Sequence, residues 1–215
     1  MTVPEVADHV LGNPDAPVTL LEYGDYECPY CAAAAPVLRS VVEKSGGQVR
    51  LVFRNFPLPS VHPFALTAAL AVEAAGAEGV FWPMHELVFA RQERLDDAAL
   101  RAYAEELGVD GSRVVGEAAQ VFGDKVEADF AAGLAAGVGG TPTVFVDGRL
   151  YAGRVEAGAL RRAIGIAESN GSDPHGRRDP RAGRQRRWSL GVRRAQREPL
   201  AQDAEEDHPG DRCGD

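Results

Sequence analysis

Cysteine is scarce in this sequence: there are three in 215 residues, Cys28, Cys31 and Cys213. That excludes a disulfide-dense scaffold. One Cys-x-x-Cys, with no second such pair and no spaced histidine pair, falls short of the four ligands of a structural zinc site and argues for redox chemistry instead. Long apolar runs are missing too. None approaches the ~18–20 residues that a membrane helix needs, so no transmembrane segment is expected. The stretch Met1–His9 has neither a basic region nor an apolar core. No signal peptide is therefore expected, and the chain as it stands is expected in the cytoplasm, or outside it if the N-terminus has been shortened or processed. Basic residues are few up to Asn170, with 13 against 23 acidic ones, a net charge of −10. Such a balance argues against nucleic acid as a partner of the folded part. No internal repeat is visible.

What is present is a globular chain, 45% apolar, with one concentrated chemical feature, Cys28-Pro29-Tyr30-Cys31. Val18–Tyr23 before it is apolar and β-prone; Ala32–Arg39 after it is helical in composition. The pair thus falls where a strand ends and a helix begins. Pro29 suits the first helical turn, where its missing N–H is not needed. A thiolate at Cys28 would face unpaired N–H groups and the positive end of the helix dipole, which lowers a cysteine pKa. Cys28 is therefore the expected nucleophile and Cys31, one turn inside, the resolving thiol.

The helix runs from about Pro29 to Glu43-Lys44 and stops at Gly46-Gly47; Val49–Arg54 follows as a second strand. Strand, short crossover helix and strand imply a parallel, right-handed βαβ unit. Periodicity then becomes helical: Ala65–Ala75, Phe81–Gln92, Asp96–Leu107, a piece capped by Asp110, and Lys125–Ala136. β structure returns with Thr143–Val146, the hairpin signal Asp147-Gly148, and Arg149–Tyr151, before a closing helix over Glu156–Ala167. The divisions are a polar lead-in over 1–16, a β-α-β and β-β-α body over 17–56 and 138–168, a helical insertion over 57–137, and a tail over 171–215. The tail is rich in Gly, Pro, Arg and Asp without periodicity, and disorder is expected there. Asp25 and Glu27 read as solvated loop acids, and His62 and His85 as loop or packing residues.

The order β-α-β, helical insertion, β-β-α with Cys-Pro-Tyr-Cys at the first helix resembles the DsbA-like family of thioredoxin-fold proteins. Matching stretches are Glu27–Cys31, Phe53–Leu58, Phe81–His85 and Gly140–Thr143, and the resemblance covers roughly Asp8 to Ile166. It implies an α/β thioredoxin fold with an all-helical insertion, and thiol-disulfide exchange with protein substrates and a further redox partner. It implies no cofactor beyond a Cys28–Cys31 disulfide. Local sequence alone reads Pro142 as a trans proline opening a strand; the resemblance implies a cis bond, with Pro142 packed against the cysteines and the Thr141 backbone free to pair with an extended substrate. Pro29 and Tyr30 would line the same substrate surface. The resemblance also places an acid at Glu22, six residues before Cys28, where a buried carboxyl would shuttle the proton of Cys31. Many such sites carry histidine where this one has Tyr30, so a Cys28 pKa between ~3.5 and ~7 is expected. Cys-Pro-Tyr-Cys is common in glutaredoxins as well, which leaves a glutathione-linked reductase as an alternative; length and insertion weigh against it. A client-binding module with incidental cysteines is the non-enzymatic alternative. Glutathione-binding isomerases of related fold usually lack the second cysteine.

Overall fold

The computed structural model describes residues 9–166. Its elements are β1 (His9–Gly12), β2 (Val18–Gly24), α1 (Pro29–Glu43), β3 (Val49–Asn55), α2 (Ala65–Ala77), α3 (Phe81–Ala90), α4 (Asp97–Glu106), a 3-10 turn (Gly111–Arg113), α5 (Glu117–Gln120), α6 (Gly123–Ala135), β4 (Thr143–Val146), β5 (Arg149–Leu150) and α7 (Ala157–Ala163). The sheet order is β1-β3-β2-β4-β5. β2 and β3 are parallel and joined by α1; the other neighbours are antiparallel. The expected thioredoxin-like α/β order is thus present, with α2 to α6 between β3 and β4.

Side chains alternate across a strand, and β2 is buried on both faces. Leu20 packs with Leu51 and Val144 against Leu38 and Val41 of α1 and Leu160 of α7. Leu21 and Tyr23 point the other way, with Val52 and Phe145, toward Phe130 of α6. Glu22 shares the parity of Leu20 and so projects toward α1, between Phe53 of β3 and Val144 of β4 in register. A third apolar cluster joins the helices to the sheet end and includes Phe53, Tyr26, Cys28 and Cys31 beside Met84, Val88 and Leu100. The cysteines therefore sit on the seam between sheet and helices.

Asp147-Gly148 forms the expected hairpin turn, with φ of 48° and 75° at the two positions. The lead-in is not wholly irregular: His9–Gly12 pairs with Phe53 to Arg50 as the edge strand β1. Its polar flanks and four-residue length hide a pairing that the backbone alone makes. The last helix ends at Ala163 rather than Ala167. Gly165, at φ 72°, reverses the chain there. Ala167 and the tail with Cys213 lie outside the described residues.

Gly133 of α6 packs directly on the aromatic layer. A Cβ there would meet the Phe56 ring at 2.6 Å and Tyr23 at 3.0 Å. Alanine gains up to about 1 kcal/mol of helix propensity over glycine, but overpacking a rigid core costs about 1–3 kcal/mol. Gly133→Ala is expected to lower stability by about 1–2 kcal/mol, read as a lower urea midpoint at unchanged slope.

Candidate active site

Cys28 is the N-cap of α1, with φ −73° and ψ 120°, and no side-chain oxygen caps the helix. Its N–H donates to Asp25 O at 3.1 Å, and its carbonyl accepts the first helical bond from Ala32 N at 3.2 Å. The first-turn donors are left for the sulfur. Both cysteines are free thiols. They are nearly inaccessible, Cys28 at 4% and Cys31 at 0%. Cys28 is therefore reached only through a narrow window, while the flanking Tyr30 is 73% exposed.

The two thiols have opposite chemistry. A hydrogen bond from the Cys31 thiol favours the Cys28 thiolate most; burial opposes it, and the Thr141 side chain and the N–H groups of Cys31 and Tyr30 add further support, bringing Cys28 down to about 5. The helix start thus contributes, but the partner thiol contributes more. Burial pushes the Cys31 thiol far up, and its bond to Cys28 and the charge of Glu22 push the same way. Asp25 N donates to Cys31 Sγ at 3.5 Å.

Thr141 faces Cys28. The Thr141–Pro142 peptide bond is cis. The Cys28 thiol donates to Thr141 O at 3.4 Å. Thr141 Oγ1 is buried with no hydrogen-bond partner in this dithiol form, which leaves it available to the thiolate. Glu22 lies behind the cysteines, fully buried, with neither carboxyl oxygen hydrogen-bonded. Burial, and then the charge of Cys28, raise it to about 8. It holds its proton at neutral pH.

Asp25 is not a solvated loop acid. It is 1% exposed. Its carboxylate accepts Glu27 N at 2.8 Å, Leu58 N at 2.9 Å and His62 Nδ1–H at 2.9 Å. Glu27 is half-buried and its carboxylate accepts Phe64 N at 2.6 Å. The two acids clamp the loop after β3 onto the active-site loop, a long-range arrangement with no local signal. Gln92, after α3, also escaped sequence reasoning: its amide donates to Tyr26 O at 2.8 Å and Cys28 O at 2.9 Å. His85 lies among Phe53, Phe81, Trp82 and Phe89. It pairs with the Tyr26 hydroxyl at 2.9 Å, and burial, then His9 and Arg39, push its imidazole down to about 3. It is a neutral packing residue.

The family described as thioredoxin matches residues 5–165. A Na(+)/H(+) antiporter NhaA of Salinispora arenicola is 44% identical over 158 residues, covering 73% of this chain and 24% of that protein. The chain spans about a quarter of the length of the curated relatives it matches. No described helix is long and apolar enough to cross a membrane. Among solved structures, a thioredoxin-like oxidoreductase from Silicibacter pomeroyi is 28% identical with a TM-score of 0.62, covering 74% of this chain and 94% of that one. BdbD from Bacillus subtilis, in its oxidised form, is 26% identical with a TM-score of 0.64, covering 73% of this chain and 90% of that one.

Proposed function

This chain belongs to the thioredoxin family, in its DsbA-like form, and from that premise we propose that it is an oxidoreductase exchanging disulfides with protein thiols through Cys28 and Cys31. The observation that carries the reading is the division of labour between two sulfurs one turn apart: Cys28 drawn down to about 5 and Cys31 driven the other way. A low-pKa first cysteine is a good leaving group, and its stable thiolate favours the dithiol form; oxidation of client dithiols is the direction we assign.

In that direction a client thiolate attacks Cys28 Sγ of the Cys28–Cys31 disulfide. A client–Cys28 bond forms, the Cys28–Cys31 bond breaks, and the Cys31 sulfur leaves with the electron pair. Glu22, protonated at neutral pH and close behind, is the donor that neutralises it. The client's second thiolate then attacks the client sulfur of the mixed disulfide and expels Cys28 as a thiolate. Two electrons pass from the client to the cysteine pair, and a partner that reoxidises the pair closes the cycle. The cysteine pair is the redox group, with no further cofactor. Thr141, Pro142, Pro29 and Tyr30 form the surface on which the client lies, with Thr141 O, which accepts the Cys28 thiol in the dithiol form, open to a client backbone N–H in the disulfide form. We assign ion antiport to the three quarters of the curated relatives that this chain does not match.

Equilibration with glutathione tests the reading. A midpoint between about −120 and about −270 mV is expected, the values of DsbA and thioredoxin. A midpoint at or below the thioredoxin value overturns the oxidising direction. Failure to exchange at all overturns the function.

A further inference from the structure

The reaction surface is rich in negative charge. Asp25 and Glu27 of the loop after β2 lie close to the cysteines, and each carboxylate disfavours a thiolate at Cys28, whereas Glu22 behind them is protonated at neutral pH. The start of α1 offers Pro29 and Tyr30, neither charged; the Gly139–Pro142 turn offers Thr141; the turn after α3 offers the neutral Gln92. Hydrogen bonds within the described residues bring two basic side chains to this loop: His85 of α3, on the Tyr26 hydroxyl and held neutral by burial, and one that can carry charge. His62, on the loop between β3 and α2, donates Nδ1–H to Asp25 Oδ2 at 2.9 Å. Asp25 is in turn bonded to both cysteines through its main chain: its N–H donates to Cys31 Sγ at 3.5 Å and its carbonyl accepts Cys28 N at 3.1 Å. Leu58 N on the same carboxylate, at 2.9 Å, and Phe64 N on Glu27, at 2.6 Å, fix the histidine loop at both ends.

We propose that His62 is the cation of this active site: positioned by Asp25, it stabilises the Cys28 thiolate from across the loop and so sets the oxidising strength of the pair. His62 is a positioning and electrostatic residue that does not touch the reacting sulfur. The groups that face it are Asp25, Cys28 and Glu27. Partial burial disfavours its charged form, but the Asp25 hydrogen bond and the charges of Asp25, Cys28 and Glu27 together outweigh that, and its pKa is raised. The carboxylate that holds it is almost wholly buried, so the charge pair is poorly screened from within. The inference rests on the redox reading of Cys28 and Cys31 and deepens it.

The coupling is reciprocal. If a charged His62 favours the dithiol by a given factor, conversion of disulfide to dithiol raises the affinity of His62 for its proton by the same factor. Two measurements on the whole chain follow. The first is the equilibrium in which protein disulfide and two glutathione thiols give protein dithiol and one glutathione disulfide. His62→Gln, which keeps a donor for Asp25, is expected to lower its constant about tenfold at pH 7, equivalent to about 30 mV for a two-electron couple. His62→Lys, which restores the charge, is expected to return it to within about threefold of the parent. The second uses the parent alone, so it stands even if a variant does not fold. NMR titration of the His62 ring is expected to give a pKa about one unit higher in the dithiol form than in the disulfide form, the counterpart of a tenfold coupling.

Equal His62 titration in the two redox forms overturns the inference. So does a glutamine variant with a lowered thermal midpoint and a glutathione constant within twofold of the parent, which would make His62 a loop clamp. A parent that does not equilibrate with glutathione removes the redox reading itself. A parent that does, with no effect at His62, removes only this one.

Discussion

Cys28→Ser is expected to abolish disulfide exchange, by a thousandfold or more in rate on the order seen when a covalent nucleophile is removed, while Cys31→Ser retains the first chemical step and stalls after it. The asymmetry follows from where the sulfurs stand. Cys28 caps α1 with its sulfur against the Thr141 carbonyl and the first-turn N–H groups. Cys31 is sealed at 0% exposure. With Cys31 replaced, the Cys28 thiolate can still attack a disulfide peptide, but nothing within reach resolves the product. A peptide–Cys28 mixed disulfide should accumulate, visible as a mass increase that dithiothreitol reverses. Cys31→Ala, which removes the donor altogether, loses the hydrogen bond that most favours the thiolate, so Cys28 in that variant should titrate above its value of about 5 in the parent. Absorbance of the thiolate against pH reads this directly. A Cys28→Ser protein that still oxidises a dithiol peptide, or a Cys31→Ser protein that traps nothing, would overturn the assignment of roles.

The second large effect is at Glu22. Replacing it with glutamine should change stability and rate in opposite senses. In the folded dithiol the carboxyl keeps its proton up to about pH 8, against an ordinary value of 4.5. Over that interval the folded chain binds more protons than the unfolded one, so the Glu22 contribution falls as pH rises from about 4.5 to about 8. A shift of this size in a fully buried group corresponds to about 3–5 kcal/mol lost by the upper end. Glu22→Gln removes the loss. Cys28 works in the other direction, since its lowered pKa adds stability as pH rises through about 5 and beyond. The diagnostic quantity is therefore the difference between the variant and parent curves. Urea unfolding of both dithiol proteins should give matching stabilities near pH 4.5, with the variant ahead by several kcal/mol near pH 8.5. The price is kinetic: without a proton donor behind Cys31, exchange at neutral pH should slow by about 10²–10⁴-fold, the usual worth of general acid–base help. Parallel stability curves, or unchanged exchange, would leave Glu22 a structural residue only.

What was legible in the sequence was what adjacent residues decide. Val18–Tyr23 and Val49–Arg54 are rich in apolar, β-prone residues, and become the central strands; Asp147-Gly148 supplies two positive φ angles; Asp96 caps α4 through Ala99 N at 3.0 Å. The Cys28 position followed from the same local logic, strand into helix. What was hidden is what distance in the chain decides. β1 exists because β3 has an edge to fill 40 residues away, and nothing in His9–Gly12 announces it. Asp25 looks like any loop acid until the chain returns at Leu58 and His62 to use it. Gln92 carries no motif; its role comes from lying within reach of two loop carbonyls.

β2 is the middle strand of the sheet, hydrogen-bonded to β3 on one side and β4 on the other, and Gly24 at its end accepts Phe56 N at 2.8 Å. Amides so placed exchange with solvent only when the whole domain opens, whereas loop amides exchange through small local openings. Cys28 is carried four residues beyond the end of that strand. The sulfur pair is therefore mounted close to the last part of the molecule to let go, and the His62 loop is tied to that mount from outside, through the Asp25 and Glu27 carboxylates. Reactivity can be modulated from the periphery without loosening the frame that aligns the two sulfurs.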